Sequence, residues 1–340
     1  MVSAAARLRV GVLGVGRIGR MHAALVARDV PGLALAAVYD AETDTAARVA
    51  DELGARAAAS ADELIDASDV DAVAICSSTD THVDLLVRAA RAGKPMFLEK
   101  PISLDLGEVD RGLAAVDRAG AFLQLGLNRR FDPAHRSVRD AVASGAVGEL
   151  HLVRITSRDP EPPPLAYVKV SGGIFLDMTV HDLDMARFVT GTEVEEVYAR
   201  GEVRVDPAIG EAGDLDTAVV TLRHQDGTLT TIDNSRRAAY GYDQRVEAFG
   251  SRGVAASDNV LVHTGYTRTA EGTHGPVLPH FFVQRYRESY LESWGAFGRA
   301  ARAGDPPAVT GGDGRAALVL GLAAARSARE GRPVRVSEIA

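Results

Sequence analysis

Along the first third of the chain, short apolar runs are separated by stretches with helical spacing. Leu8–Leu13 (LRVGVL), Leu33–Tyr39 (LALAAVY), Val70–Cys76 (VDAVAIC), Lys94–Leu98 (KPMFL) and Ala121–Leu125 read as strands. Ile18–Ala27, Thr43–Leu53, Thr81–Ala92 and Leu106–Ala119 read as helices, the last three followed by Gly54, Gly93 and Gly120, where a left-handed cap is wanted. Strands alternating with helices of this kind predict crossover connections and a parallel, doubly wound α/β sheet. Helices cover both faces of such a sheet, which accounts for apolar runs in place of strict alternation.

The rhythm changes after Asn128. A helix over roughly Pro133–Ser144 precedes Glu149–Ser157, Val194–Val203, Ala218–Leu222, Thr228–Asp233, Gln244–Phe249 and Asn259–His263, which read as half-buried strands. Gly227 and Gly250–Gly253 sit at expected hairpin turns. Runs of strands without intervening helices predict a mostly antiparallel sheet, hence an α+β domain. Phe281–Arg302 and Asp313–Arg329 return to helix, joined by the polar connector Gly304–Gly314. Two domains are expected, 1–127 and 128–340, with the C-terminal helix able to pack back on the first, and 340 residues are ample for two cores.

Composition narrows the partners. Hydrophobic residues make up 46% and charged residues 25%, as in globular proteins. A net charge of −8 argues against nucleic acid or an anionic membrane. Cys76 is the only cysteine, so no intrachain disulfide forms and no oxidising compartment is implied. The Ala-rich lead Met1–Arg9 has no long apolar stretch, and the cytoplasm is the expected location.

Three constellations carry candidate chemistry. Gly14-Val15-Gly16-Arg17-Ile18-Gly19 follows a strand and opens a helix, the setting in which glycines admit a pyrophosphate to a helix N-terminus. Asp40, at the end of the second strand, stands where an acid hydrogen-bonds a ribose 2′-hydroxyl and repels a 2′-phosphate, favouring NAD over NADP. The first domain is therefore expected to bind a dinucleotide. Glu99-Lys100-Pro101 closes the fifth strand's apolar run, at the sheet edge where ligands bind, although spacing alone reads Lys100 more readily as a surface lysine. Asp177 and His181 are spaced to share one helix face, delivered by a turn at Ser171–Gly173. They suit proton transfer from a substrate hydroxyl, or equally a helix-terminal acid with a packed histidine. A metal reading that adds Asp182 and Asp184 is set aside, because no second His or Cys lies at ligand spacing.

Together these residues resemble the Gfo/Idh/MocA oxidoreductase family over nearly the whole chain. EKP at Glu99–Pro101, the Asp-x-x-x-His pair and the run Val309–Val334 are the marks that carry it. Within the family the chain is most similar to the bacterial inositol 2-dehydrogenases, through NRRFDP at 128–133, TSRDP at 156–160, YVKVSGGIFLDMTVHDLD at 167–184 and YGYDQ at 240–244. The resemblance implies a Rossmann domain, a cis Lys100–Pro101 bond and a second domain with an open sheet that builds homotetramers. It implies Lys100, Asp177 and His181 as the catalytic set, with His181 as general base. Gly14, Gly16, Arg17, Ile18, Gly19, Asp40, Ser77, His82, Glu99 and Lys100 would line the NAD site. Asn128, Arg129, Asp159 and Tyr240 or Tyr242 would line a polyol pocket, with no metal.

The implied reaction is NAD-dependent oxidation of a cyclic polyol, myo-inositol foremost. Some relatives carry Met where Asn128 stands, and the loop 161–169 is Pro-rich, so another inositol isomer or an aldose stays open. A non-catalytic NAD-binding sensor is the alternative of a different class. It predicts loss of Lys100, Asp177 or His181, and all three are present.

Overall fold

The computed structural model describes residues 7–339; the Ala-rich lead lies outside the described residues up to position 6. The chain forms two compact units. The first holds the residues up to Leu127 together with Tyr290–Arg315, and the second holds Asn128–Ser289 and the chain from Ala316 onward. The sequence reading gives 128–340 to the second unit and has only the C-terminal helix returning to the first. The excursion of Tyr290–Arg315 back to the first has no local signal, because apolar helix positions do not reveal which core they fill.

In the first unit the elements run β1 (Leu8–Leu13), α1 (Arg17–Arg28), β2 (Leu33–Tyr39), α2 (Thr43–Leu53), β3 (Arg56–Ala57), α3 (Ala61–Asp66), β4 (Ala72–Ile75), α4 (Thr79–Arg91), β5 (Met96–Leu98), α5 (Leu106–Ala119) and β6 (Leu123–Leu125). The six strands are parallel in the order β3-β2-β1-β4-β5-β6. This doubly wound order reverses between β1 and β4, and the crevice beyond the carboxyl ends of the strands at that reversal is where such sheets take ligands. β4 and β5 are buried throughout, as strands covered on both faces must be. Gly54 and Gly120 close α2 and α5 in the left-handed region, at φ 68° and 56°. The reading omits β3 and α3, which are too short for periodicity to show. Ser60 announces α3 by accepting from the Glu63 N–H, a legible Ser-x-x-Glu start.

The second unit begins with a 3₁₀ turn at Asn128–Phe131 and α6 (Pro133–Ala143), whose first turn Asp132 caps by accepting from the Ala134 and His135 N–H groups. There follow β7 (Leu150–Arg158), α7 (Leu165–Val168), α8 (Ile174–Asp177), α9 (Thr179–Thr190), β8 (Val194–Glu202), α10 (Pro207–Glu211), β9 (Thr217–His224), β10 (Leu229–Ser235), β11 (Asp243–Gly250) and β12 (Gly253–Ser257). A small hairpin, β13 (Thr267–Thr269) with β14 (Gly272–His274), leads to α11 (Phe282–Arg285), α12 (Arg287–Ala303), α13 (Gly311–Glu330) and β15 (Val334–Arg335). α12 and α13 each begin in one unit and continue in the other.

The seven strands lie in the order β12-β11-β7-β10-β9-β8-β15, antiparallel except for β7 beside β10. One face packs on the core through Val153, Ile155, Val197, Val220, Leu222 and Ile232, against Val138 of α6, Leu183 and Ala186 of α9, and Leu320 and Ala323 of α13.

Three expectations are corrected here. The expected strand Asn259–His263 is absent, and the edge strand is β12, which pairs with β11 across the turn at Ser251–Arg252. Asn259 instead spends its amide on the start of β11, donating to Asp243 and accepting from the Gln244 N–H. The expected helix Phe281–Arg302 is broken at Tyr286, whose φ of −107° and ψ of 16° end α11. The single helix carrying Asp177 and His181 is likewise broken, at Met178 (φ −99°, ψ −59°), so Asp177 ends α8 and His181 lies in the first turn of α9.

Candidate functional site

The glycine turn follows β1 directly. Gly14 has φ 85°, where side chains are strained, and a Cβ on it would come within 2.4 Å of the Ser77 backbone. A Cβ on Gly19 would lie 1.8 Å from the Gly14 carbonyl oxygen. A Cβ on Gly16, the residue preceding α1, would meet nothing within 4 Å. Two glycines thus close the turn, and the third leaves open space at the N-terminal end of a twelve-residue helix, whose first-turn N–H groups have no acceptor within the helix itself. This donor set fits a dinucleotide pyrophosphate. Arg17 is exposed beside the opening and Ile18 is half-buried.

Asp40 directly follows β2 and touches the turn itself. One carboxylate oxygen accepts from the Val15 N–H at 2.7 Å, and the other accepts from the Glu42 N–H at 3.0 Å. The carboxylate is therefore held rigidly, with lone pairs left for a ribose hydroxyl. Across the reversal point, the Ser77 hydroxyl pairs with Thr81 at 2.6 Å. His82 is buried, with one ring nitrogen 2.8 Å from the Pro101 carbonyl and the other 3.1 Å from the Ser77 carbonyl. Burial holds its imidazole below the usual histidine range, against the pull of the two carbonyls. His82 thus ties the loop after β4 to the turn after β5. The Lys100–Pro101 bond in that turn is cis. Glu99 spends its carboxylate inside the unit, on His22 at 2.7 Å and on the Lys100 N–H at 3.1 Å. The Lys100 side chain is half-buried.

In the second unit the polar residues form one connected, mostly buried cluster. Arg129 donates to Asp182 at 2.6 Å and to Ser157 at 3.3 Å, and its other terminal nitrogen lies 3.5 Å from the Tyr242 hydroxyl. Asp182 is fully buried and also accepts from Asn234 at 2.8 Å. Burial pushes the Asp182 carboxyl up, and Arg129, Asn234 and Ser157 pull it back. Asp184 pairs with Arg130 through two hydrogen bonds, at 2.6 and 2.8 Å. Both acids once weighed as metal ligands thus sit on arginines. Among the described residues no cluster of His, Cys, Asp or Glu is arranged to hold a metal ion.

Asp177 is gripped from two sides, by the Tyr167 hydroxyl at 2.8 Å and by Arg236 at 3.2 Å. Arg236 is itself buried and shared with Asp214 at 3.1 Å, and Asp214 caps α8 by accepting from the Ile174 N–H. Arg236, Asp214 and Tyr167 escape the sequence reading because their spacing from Asp177 matches no local motif. Asn128 is buried and donates to Ser289 at 2.9 Å. Of the two tyrosines left open, Tyr242 is buried beside Arg129, whereas Tyr240 is 52% exposed, donating to Asp243 and accepting from Arg158.

Asp159 is half-buried, on the loop after β7, with its N–H on the Ser235 carbonyl. Burial pushes its carboxyl up to about 6, with Asp177 and Asp182 adding to the shift and Arg129 and Arg236 opposing it. Its folded pKa exceeds the ordinary 3.8, so stability falls as pH rises through about 6. Asp159→Asn is therefore expected to resist urea better than the parent near pH 8, by about 1 kcal/mol, and to lose that advantage progressively toward pH 4. Parallel urea midpoints for the two proteins across that range would overturn the assignment.

Comparison with known proteins agrees with the fold of the two units. Residues 8–127 match the oxidoreductase family with an NAD-binding Rossmann fold, and residues 135–256 match the GFO/IDH/MocA C-terminal domain. The chain is 49% identical to a myo-inositol 2-dehydrogenase of Thermotoga maritima, over 98% of this chain and 99% of that one. It is 42% identical to a myo-inositol dehydrogenase of Corynebacterium glutamicum of known crystal structure, with a TM-score of 0.93 over 97% and 98% of the two chains. A scyllo-inositol dehydrogenase from Lactobacillus casei, crystallised with NAD(H) and scyllo-inositol, is 29% identical, with a TM-score of 0.91 over 97% and 99%. The chain belongs to the Gfo/Idh/MocA family and is an oxidoreductase built on an NAD-binding Rossmann domain.

Proposed function

We propose that this enzyme oxidises myo-inositol at a ring carbinol, giving the corresponding inosose. The observation that carries the substrate is 49% identity, over nearly the full length of both chains, to the Thermotoga maritima myo-inositol 2-dehydrogenase. The cluster of charged and hydroxyl side chains in the second unit is chemically apt for a polyol. A site built to hydrogen-bond hydroxyls rejects analogues that lack them, because its own polar groups would go unpaired.

Gly14, Gly16 and Gly19 with the start of α1 would hold the pyrophosphate, and Asp40 the ribose; Arg17, Ile18, Ser77 and His82 border the same site. NAD, when bound, supplies the hydride acceptor. His181 takes the hydroxyl proton, Asp177 stabilises the imidazolium that results, and Lys100 hydrogen-bonds the oxygen as charge grows on it. Arg236 and Tyr167 keep the Asp177 carboxylate in one place while it does so. Asn128, Arg129, Asp159 and Tyr242 grip the remaining hydroxyls, with Tyr240 at the rim.

The same reading makes the protein a cytoplasmic homotetramer that needs neither nucleic acid nor a membrane. Among the described residues no helix is long and apolar enough to cross one. Support for assembly comes from the sheet face turned away from the helices. There Val254, Phe249, Leu152 and Leu229 stand in register across β12, β11, β7 and β10, and Phe249 and Val254 are 48% and 57% exposed.

A substrate panel tests the proposal, with myo-, scyllo- and chiro-inositol, glucose and galactose each assayed with NAD and with NADP by NADH or NADPH absorbance. The expected result is NAD-dependent turnover of myo-inositol at least about tenfold above either aldose in kcat/KM. Preference for an aldose overturns the substrate, and NAD binding without turnover of any polyol overturns the enzymatic reading itself.

A further inference from the structure

Behind the Glu99-Lys100-Pro101 turn lies a buried polar chain whose tryptophan and histidine none of the roles above uses. Trp294, on α12, is the only tryptophan of the protein and is fully buried. Its indole N–H donates to Nδ1 of His22 at 2.9 Å. An indole nitrogen can only donate, so Nδ1 must present a lone pair, and the imidazole proton sits on Nε2. Nε2 is 2.7 Å from Oε1 of Glu99, to which it therefore donates. The other oxygen of Glu99 accepts from the Lys100 backbone N–H at 3.1 Å. Every hydrogen in the chain is thereby assigned, and all of them point toward the Glu99 carboxylate.

The surroundings leave the chain no alternative arrangement. Phe97 stacks on Trp294 with centroids 4.4 Å apart and planes at 18°, and Tyr290 sets its ring edge to face against His22 at 5.5 Å. A Cβ on Gly126 would come within 2.9 Å of Glu99 Oε1, so only glycine leaves the carboxylate its seat. His22 stands on the helix that opens at the glycine turn, Glu99 directly follows β5, and both belong to the same unit as Trp294.

We propose that Trp294 and His22 are positioning residues for Lys100, acting through the Glu99 carboxylate to fix the backbone from which the lysine side chain springs. This rests on the reading of Lys100 as the group that hydrogen-bonds the reacting oxygen. A hydrogen bond to a charged group is worth enough that losing it costs about 10- to 100-fold when its effect falls on the transition state.

The test compares His22→Leu, His22→Gln, Trp294→Phe, Lys100→Met and the double variant His22→Leu/Lys100→Met, by steady-state polyol oxidation and by NADH titration. His22→Leu is expected to lower kcat about 10- to 100-fold while the NADH Kd stays within about threefold. His22→Gln recovers most of the loss, because an amide can accept from Trp294 and donate to Glu99 at once. Trp294→Phe keeps the ring stack and the His22 bond to Glu99, so its kcat falls less, by about three- to tenfold. The double variant turns over no more slowly than Lys100→Met alone, since the relay acts only through that lysine.

Normal kcat in His22→Leu beside an impaired Lys100→Met overturns the relay and leaves the role of Lys100 standing, as do losses that multiply in the double variant. Near-normal turnover of Lys100→Met overturns the role of Lys100 and this inference with it. Should His22→Leu fail to bind NADH, Trp294→Phe with and without Lys100→Met carries the same cycle. Unchanged kcat in Trp294→Phe then overturns the relay.

Discussion

Replacing His181 with alanine is expected to lower kcat for inositol oxidation by about 10²- to 10⁴-fold at neutral pH, with NADH affinity unchanged. Thr179, Val180, Asp182, Leu183, Asp184, Met185 and Ala186 around it on α9 are all buried, yet His181 itself keeps part of its surface open. A residue left partly open on an otherwise buried helix start suits a group that must meet a substrate. Without it the hydroxyl proton has only water to go to, so the deficit is expected to narrow at alkaline pH, where hydroxide takes over. Steady-state kinetics across pH check both parts. Near-normal turnover in His181→Ala would remove the residue from the role, and a deficit that ignores pH would assign it to binding.

The second large effect concerns stability. Arg129 reads from the sequence as a polyol contact, but in the structure its shortest bond is to Asp182, which is 0% exposed. Arg129→Leu would leave that carboxylate buried without its cation, a change that costs about 3–5 kcal/mol, whereas removing both charges together costs far less. Urea unfolding of Arg129→Leu, Asp182→Leu and the double variant is expected to show the double variant more stable than Arg129→Leu. If Arg129→Leu raises KM while its unfolding midpoint stays put, the arginine serves the substrate alone. The sequence reading gives Arg129 to the polyol pocket by resemblance alone, and resemblance does not show that a buried arginine must also find an internal partner.

How much was legible follows the range of the interaction. Alternation of strand and helix in the first unit is a local property, so β1, β2 and α2 fall within a residue or so of their expected bounds, and Gly54 and Gly120 announce their caps. The glycine turn with Asp40 is also local, and the structure joins the two through the Val15 N–H. The break at Met178 is not legible, because DMTVH contains nothing that opposes a helix. Its cause is tertiary: Asp214 caps α8, and Arg236 and Tyr167 draw Asp177 to themselves. Lys100 shows the same limit. EKP marks the turn, but the partners that hold Glu99 sit 77 residues before it, at His22, and beyond that at Trp294, 272 residues from His22.

The return of Tyr290–Arg315 to the first unit has a consequence for the order in which the protein can form. A ribosome delivers the chain from its N-terminus, and an N-terminal domain ordinarily begins to fold while the remainder is still being made. Here the parallel sheet emerges early, yet Phe97 must wait for Trp294 and Phe297, and the Gln124 amide for the Ser293 carbonyl 169 residues later. The dinucleotide unit therefore cannot complete its interior during synthesis until most of the second unit has already left the ribosome. The two units mature as a pair, and the nascent sheet must be shielded from other chains in the interval.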